Sequence, residues 1–479
     1  MRDLEMLREQ INDIDEKMLD LFLERMKVSE EVAEYKIEKN LPLFHPRREE
    51  EILKWAEENS GEEANYSQEF FKKIMELSKK KQREKMGGYG LLGEHLGHSF
   101  SKDIHQKMNC KKYDLIEIEP GELEKFLRDT DYRGLNVTIP YKKTVMKCCR
   151  NLSEDAMACG SVNTLVRQKD GWYGYNTDVD GFCYMMKKSG IQVEGKKVLI
   201  LGNGGAAGAV KQGLKRLLAR EIVVISRRGE DNYDNLSRHF DAQIIVNTTP
   251  VGMYPDLEEK VIQLKDFTQC EGLVDIIYNP LRTQLIQEAE ELNIKYTNGL
   301  SMLVAQAWEA EKLFFEKDMQ EDVVDKVLAE VDWENRNLVL VGMPGCGKTT
   351  LGKRFGEALQ RPFIDLDEEI ERYMKMSIPQ IFEEKGEDFF REVETKVLRE
   401  VIKQTGIVLA TGGGTILRDE NKKLLRSNGY VIHVERELDK LEKKGRPLSQ
   451  KQDVRKLYEE RKKHYEIIRD AIIPNVEHF

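Results

Sequence analysis

Apolar residues near the start of the chain recur at intervals of three and four. Leu4, Leu7, Ile11, Ile14, Met18 and Leu21 form one series, and Val28, Val32 and Tyr35 resume it, which predicts a long helix with a heptad seam. Past a break at Pro42, a second helix carries Arg48 and Glu49. A third places Ser78 and Gln82 on one face, four residues apart. After Gly87-Gly88 the texture changes to β-branched runs alternating with helical ones, so the first boundary falls near Gly87. Residues 316–330 (EKDMQEDVVDKVLAE) read as a charged helix, and after VDWENRN the run LVLVGM opens a strand and a glycine loop, which puts the second boundary near Asp332. The pattern is multidomain: an all-α unit over 1–86, an α/β unit over 88–332 and a second α/β unit with a parallel sheet over 335–479.

Composition agrees with this division and narrows the partners. A length of 479 residues suffices for about three domains. With 76 basic and 86 acidic side chains the net charge is -10, which disfavours nucleic acid and requires local basic pockets for phosphorylated ligands. The opening MRDLEMLREQ lacks an apolar leader core, and no stretch reaches the ~18 apolar residues of a membrane span, so a cytoplasmic location without membrane contact is expected. Seven cysteines without a CxxC pair read as reduced thiols, not metal ligands.

In the helical unit, Arg25 falls in the apolar seam, where an unpaired cation costs several kcal/mol. One reading is a coiled-coil arm whose Arg25 is neutralised by a partner's glutamate. The other is geometric: Lys36, eleven residues later, projects from the same face about 16 Å away, so the two cations could hold opposite ends of a small dianion. Arg8, about 25 Å from Arg25 and a quarter-turn round the helix, would have to come from a second subunit. Arg8 and Arg25 (LRxxI and ER), Lys36, the Arg48-Glu49 pair and the Ser78/Gln82 pair together resemble the all-helical type of chorismate mutase. The resemblance implies an intertwined helical homodimer that converts chorismate to prephenate without a covalent intermediate. Arg8 of one subunit and Arg25 of the other would bind carboxylates, with Arg48, Glu49 and Ser78 completing the substrate site. Lys36 and Gln82 would donate to the ether oxygen. A millionfold acceleration needs about 8 kcal/mol, within reach of several charge-assisted hydrogen bonds at ~1.5–3 kcal/mol each. Phe44 and His45 stand where the family places an arginine and an aspartate. The alternative that this unit is only a dimerisation arm predicts no reaction with chorismate.

In the central unit the strand KKVLILG runs into Gly202-Asn203-Gly204-Gly205-Ala206-Ala207 and a helix, the setting of a dinucleotide loop. The next strand, EIVVIS, ends in Arg227-Arg228. An acid there would pair with the ribose of NAD, whereas arginine suits the extra phosphate of NADP. HSFSKDIH, GLNVTIPYKK, GSVNTL and YNTDVDGF gather hydroxyls, amides, a lysine and an aspartate, which suits a polyhydroxylated ligand. With VDIIYNP and NGLSMLVAQA they resemble shikimate dehydrogenase across about residues 88–330. That resemblance implies a substrate part (88–185), an NADP-binding part (186–285) and C-terminal helices (286–332). It implies that Ser99 and Ser101 bind the shikimate carboxylate, and that Thr138, Asn163 and Gln306 hold the ring. Lys142 would protonate the oxyanion left by hydride delivery to 3-dehydroshikimate, with Asp178 orienting it. Gly202, Gly204, Gly205, Ala206 and Arg227 would hold the cofactor, and Ile276, Tyr278 and Gly299 its nicotinamide side. Lys102 and Gln106 depart from the family's proline and asparagine, and the span from Arg228 to Asn247 is short.

The third unit carries the sharpest local signal. Gly342-Met343-Pro344-Gly345-Cys346-Gly347-Lys348-Thr349 fits G-x-x-x-x-G-K-[ST] between a strand and a helix: backbone amides cradle phosphates, Lys348 reaches the β/γ oxygens and Thr349 ligates Mg2+. FIDLDEEI, GEDFFREVE, ATGGGT, KGRPL and ERKKHY make the segment resemble shikimate kinase over about 335–479. The resemblance implies ATP as phosphoryl donor. Asp367 and Arg391 would sit on the shikimate hydroxyls and carboxylate beside Gly413 and Gly414, and Arg461 would be a second carboxylate partner. Gly345 and Gly347 belong to the phosphate loop, Asp365 would assist Mg2+, and Arg446 would close from a lid. The stretch from Glu435 to Glu460 is shorter than the family's, which leaves a nucleotide-sensing regulator as the alternative. The three resemblances describe a multifunctional enzyme of aromatic amino-acid biosynthesis in which the dehydrogenase product is the kinase substrate.

Overall fold

Three helices open the chain: α1 (Leu4–Glu38), α2 (Pro46–Asn59) and α3 (Ala64–Met86). The computed structural model describes residues 3–38, 46–97, 99–108, 110, 112–441 and 454–474; Phe44, His45 and Arg446 lie outside them. Alternating elements follow: β1 (Tyr89–Gly93), α4 (Ser101–Lys107), β2 (Tyr113–Glu117), α5 (Leu123–Asp129), β3 (Gly134–Val137), β4 (Cys149–Leu152), α6 (Glu154–Cys159), β5 (Thr164–Gln168) and β6 (Gly171–Tyr175). Residues 1–102, 110–151 and 164–174 form one compact unit, and residues 103–109, 152–163 and 175–479 form another.

In the first unit α1 and α2 both pack on α3. The long helix follows from the three-four spacing, but the stripe it buries differs from the expected one. Ser29 and Ala33 face α3, with Arg25 and Lys36 half-buried beside them, whereas Val28 (50% exposed), Val32 (38%) and Tyr35 (57%) stay open within the chain. Arg25 therefore does not sit in the apolar seam. It lies on the neighbouring stripe, and the seam itself is uncovered from Leu4 to Tyr35. The first sheet has the order β2-β1-β3-β5-β6-β4, with β1 parallel to both β2 and β3 and β5 antiparallel to β3.

The second unit continues with α7 (Asp178–Ser189), β7 (Lys197–Leu201), α8 (Ala207–Arg216), β8 (Glu221–Ile225), β9 (Ile244–Asn247), β10 (Gly272–Asp275), α9 (Gln284–Glu291), β11 (Lys295–Thr297), α10 (Leu300–Phe315) and α11 (Asp322–Asn335). Its first sheet, β11-β10-β9-β7-β8, is parallel throughout, and its central strands β7, β9 and β10 are buried on both faces, as their apolar runs require. The charged helix expected from residue 316 begins only at Asp322: Glu316 ends α10 in a left-handed conformation (φ 49°), and α11 runs on to Asn335. Between Arg228 and β9 the short connection is a 3-10 segment, Tyr233–His239, not an α-helix.

Then come β12 (Asn337–Val341), α12 (Lys348–Leu359), β13 (Phe363–Asp365), α13 (Leu366–Met374), α14 (Ile378–Val401), β14 (Val408–Ala410), α15 (Asp419–Asn428), β15 (Gly429–Glu435), α16 (Val454–Ile468) and β16 (Ala471–Pro474). These strands make a second parallel sheet, β13-β14-β12-β15-β16. Its core of Val339, Leu340, Ile370, Leu398, Leu409 and Val431 also takes in Leu257, from the loop after β9.

Candidate functional site

The loop between β12 and α12 lies at the C-terminal edge of a parallel sheet, next to the point where strand order reverses, and ligands bind there in open α/β folds. A cavity of about 410 Å³ opens at this edge, lined by Lys348, Thr349, Asp365, Asp367, Arg391 and Arg461 among others. Gly345, Gly347 and these six residues, eight positions expected from the sequence, thus share one chamber with Gly413 and Gly414. The Lys348 ammonium donates to the carbonyls of Gly342 (2.9 Å) and Met343 (3.0 Å), folding over its own loop. The Thr349 hydroxyl donates to Asp365 Oδ2 at 2.7 Å, joining the two positions assigned to the metal. Asp365 also accepts from the Asp367 amide at 3.0 Å, which starts α13.

The acceptor side is equally built. Arg391 is buried on α14, donating to Glu394 Oε2 (2.9 Å) and Glu387 Oε1 (3.1 Å), while Glu394 accepts from the Thr415 hydroxyl at 2.6 Å. Arg461 Nη1 and the Tyr465 hydroxyl both donate to the Gly413 carbonyl, at 2.8 and 2.7 Å. The loop at Gly413 needs its glycine: a Cβ there would lie 2.5 Å from Pro344 Cδ, so the two glycine loops are in contact. Burial, then the neighbouring Asp365 and Glu394 carboxylates, push the Asp367 carboxyl up to about 7 against the pull of Lys348. A carboxyl held near neutrality can take a proton from a hydroxyl at working pH. Burial lowers Arg461 below its ordinary value; Arg391 is raised, because Glu394 and Glu387 outweigh its burial.

The second glycine loop follows β7. Gly202 has φ 97°, which a side chain rarely adopts, and leads to α8, whose free N–H groups and dipole favour an anion. Leu201 of β7 pairs with Ile225 of β8, and continuing that parallel register sets Arg227 level with Asn203 of the glycine loop, exposed to solvent. This arrangement fits a dinucleotide with an extra phosphate on its ribose. Gly204 and Gly205 have no atoms within 4 Å of where a Cβ would lie, leaving room at the loop. The Gly299 amide donates to the Ile277 carbonyl at 2.9 Å, bringing it beside Ile276, and Tyr278 is held above its ordinary value by burial.

Asn163 is the hub of a buried polar group in the second unit. Its Nδ2 donates to Thr177 Oγ1 (3.0 Å), Asp178 Oδ1 (2.9 Å) and Gln306 Oε1 (3.4 Å), and its Oδ1 accepts from the Thr177 amide at 2.8 Å. Three expected residues meet here, with Thr177 at the start of α7 added. In the first unit, Thr138 and Lys142 follow β3, and Ser99 and Ser101 follow the adjacent β1, all beyond the C-terminal ends of parallel strands. Lys142 is half-buried where Lys143 is exposed, and the Ser101 amide donates to Ser99 Oγ at 3.2 Å.

Among the helices, Arg25 donates to the Ser78 hydroxyl and Lys36 to Gln82 Oε1 at 3.0 Å, so α1 and α3 bring four expected residues together. Burial lowers both cations below their ordinary values. Glu49 pairs with Lys79 at 3.0 Å across α2 and α3. Arg8 stays on the exposed part of α1 and Arg48 pairs with Glu51 on its own helix, so the chain alone does not bring these two to the others. Thr177, Glu394, Tyr465 and Arg436 were missed. Glu394 was signalled by its i+3 spacing from Arg391, Thr177 by its place in YNTDVDGF, Tyr465 by its place in ERKKHY, and Arg436 only by the fold.

Three known families match successive parts of the chain. The family profile chorismate mutase type II matches residues 7–83, the shikimate dehydrogenase substrate binding domain residues 91–165, and shikimate kinase residues 344–478. The shikimate dehydrogenase (NADP(+)) of Clostridium perfringens is 33% identical over 264 residues, 50% of this chain and 97% of that protein. That of Clostridium beijerinckii is 35% identical over 248 residues, 48% and 92%. Among solved structures, a chorismate mutase/shikimate 5-dehydrogenase fusion protein from Clostridium acetobutylicum aligns with 38% identity and a TM-score of 0.49, over 51% of this chain and 96% of that one.

Proposed function

As the chain belongs to the shikimate dehydrogenase (NADP(+)) family and carries chorismate mutase and shikimate kinase domains on either side, we propose the following assignment of its residues and units. The enzyme interconverts 3-dehydroshikimate and shikimate, phosphorylates shikimate to shikimate 3-phosphate, and rearranges chorismate to prephenate. The domains run over 1–86, 88–332 and 335–479.

In the dehydrogenase, NADPH supplies the hydride. Lys142 delivers the proton to the oxygen at the reduced carbon, and Asp178, fixed by Asn163, orients that step. Ser99 and Ser101 take the carboxylate, and Thr138, Asn163 and Gln306 the ring hydroxyls. Gly202, Gly204, Gly205 and Ala206 receive the pyrophosphate, Arg227 the ribose phosphate, and Ile276, Tyr278 and Gly299 border the nicotinamide. In the kinase, Asp367 accepts the proton of the attacking hydroxyl, Arg391 and Arg461 hold the carboxylate, and Lys348 and Arg446 balance charge on the transferred group. Thr349 and Asp365 would hold Mg2+, which neutralises the phosphates. In the mutase, Lys36 and Gln82 polarise the ether oxygen, and Arg8 arrives from a second subunit.

Uncovered Leu4, Leu7, Ile11, Ile14, Met18 and Leu21 on α1 support a homodimer through the helical unit: a stripe of this kind is buried by a partner helix in stable proteins. We place the enzyme in the cytoplasm. No helix among the described residues is long and apolar enough to cross a membrane.

The observation that carries the kinase assignment is a cavity of about 410 Å³ in which a phosphate loop, a carboxyl poised near 7 and two buried arginines converge. The test is mass spectrometry after incubating the full chain with 3-dehydroshikimate, NADPH and Mg·ATP. Shikimate 3-phosphate is the expected product. Shikimate alone would refute the kinase assignment, and unchanged 3-dehydroshikimate would refute the dehydrogenase one.

A further inference from the structure

Arg436 has no part in the roles assigned above, yet it lines the nucleotide cavity. It follows β15 directly, and β15 lies against β12 in parallel register with Val341 opposite His433. Continuing that register sets Arg436 beside Pro344, inside the phosphate loop. It is half-buried and shares the cavity wall with Gly345, Gly347 and Lys348.

Charge gives this position a purpose. Among the described residues, the cavity lining contains four acidic side chains, Asp365, Asp367, Glu371 and Glu394, against four basic ones, Lys348, Arg391, Arg436 and Arg461. Arg391 is already bound to Glu394 and Glu387, and Arg461 is directed at the Gly413 carbonyl on the acceptor side. Without Arg436 the count among these described residues becomes three basic against four acidic, so less positive charge would meet an incoming polyphosphate. A cation anchored at a strand end needs no lid closure, so it costs little ordering when the ligand arrives.

Resting on the reading of this cavity as a Mg·ATP site, we propose that Arg436 is a fixed nucleotide-binding residue that contacts the polyphosphate from the β15 side. It complements Lys348.

The test uses the full chain with Arg436→Ala and Arg436→Lys. Mg·ATP binding is followed by equilibrium titration without shikimate, and steady-state kinase constants for each substrate are measured alongside. One lost charge-assisted hydrogen bond is worth a loss of about tenfold or more in affinity. The expected result is that loss for Arg436→Ala, with the KM for ATP raised, the KM for shikimate unchanged and part of the affinity recovered in Arg436→Lys. The dehydrogenase rate of the same chain reports that each variant is folded. Equal Mg·ATP affinity in wild type and Arg436→Ala, or a loss falling on shikimate instead, overturns the assignment of Arg436 alone. A wild-type chain that binds no Mg·ATP overturns both it and the reading it rests on.

Discussion

Leu257 belongs by sequence to the dehydrogenase and by packing to the kinase. It sits on the loop between β9 and β10, is only 7% exposed, and joins a cluster otherwise made of residues from β12 onward. Leu257→Ala removes the methyl groups that fill that cluster and leaves a cavity. Buried leucine truncations cost about 2–5 kcal/mol, and a loop-borne side chain belongs at the lower end because its surroundings can settle. Of the neighbouring contacts, the Glu258–Arg399 pair at 2.6 Å is exposed and adds no more than about 1 kcal/mol, and the half-buried Lys403 ammonium, 5.8 Å from the Tyr254 ring centroid, adds about 1 kcal/mol. A loss of about 2 kcal/mol in a domain of this size lowers its melting temperature by roughly 4–8 °C. The assay heats the full chain in steps and measures residual kinase and dehydrogenase activity in one sample. Leu257→Ala should bring the kinase midpoint down by that amount, while Arg399→Ala moves it far less. A folded Leu257→Ala chain with an unchanged kinase midpoint would refute the claim that this loop is part of the kinase core.

Other consequences can be checked separately. Because Asp367 is held at about 7, kinase kcat/KM for shikimate should rise with pH through about 7 and level off above it, and Asp367→Asn should be nearly inactive; a flat profile would exclude Asp367 as the base. The same raised value means that folding disfavours the ionised carboxyl. Stability should fall as pH rises between about 4 and 7, and Asp367→Asn should melt higher than wild type at pH 8, which differential scanning calorimetry would show. Lys142→Ala should lower dehydrogenase kcat by about a hundredfold or more with NADPH affinity unchanged in fluorescence titration; equal kcat would remove Lys142 from the chemistry. Light scattering should give a dimeric mass, and mixing Arg8→Ala with Arg25→Ala chains should restore mutase activity absent from either alone. Failure to recover it would show that Arg8 does not act across subunits.

What the sequence made legible divides along physical lines. The phosphate loop and the dinucleotide loop were readable because each is a contiguous run whose glycines and lysine answer to local backbone geometry, and both lie where expected, after β12 and β7. The Asn163 group was readable only through family resemblance, since Asn163 and Gln306 are separated by 143 positions and nothing local joins them. The stripe buried by α1 was misjudged because neighbouring stripes on a helix differ by a small rotation, and tertiary packing of Ser29 and Ala33 on α3 decides between them. The start of α11 was placed early because charge and helix propensity persist through residues 316–321, while the left-handed turn at Glu316 separates two helices. Arg436 had no local signal, since its relation to Pro344 exists only through the register of β12 and β15.

The contact between the dinucleotide-binding part and the kinase illustrates the same limit and says what kind of fusion this is. Exposed ion pairs would tether two domains loosely and contribute little. Here the bonds go to backbone groups: the Leu281 amide donates to Asn428 Oδ1 at 2.8 Å, the Arg282 amide to the Ser427 carbonyl at 2.8 Å, and Gln287 Nε2 to the Lys423 carbonyl at 3.1 Å. Arg282 adds a pair with Asp470 at 3.0 Å. Buried backbone donors left unpaired cost about 1–3 kcal/mol each, so sliding one part over the other breaks several such bonds at once and fixes a single register. The docked segment continues from Ile276 and Tyr278 of the cofactor side, and its partner α15 continues from the Gly412–Gly414 loop of the kinase, where Asn421 Nδ2 holds the Thr415 carbonyl at 3.0 Å. The interface therefore joins the supports of two consecutive active sites, not their surfaces. It fixes how those supports are held, while shikimate must still leave one site and find the other, with proximity alone raising its local concentration.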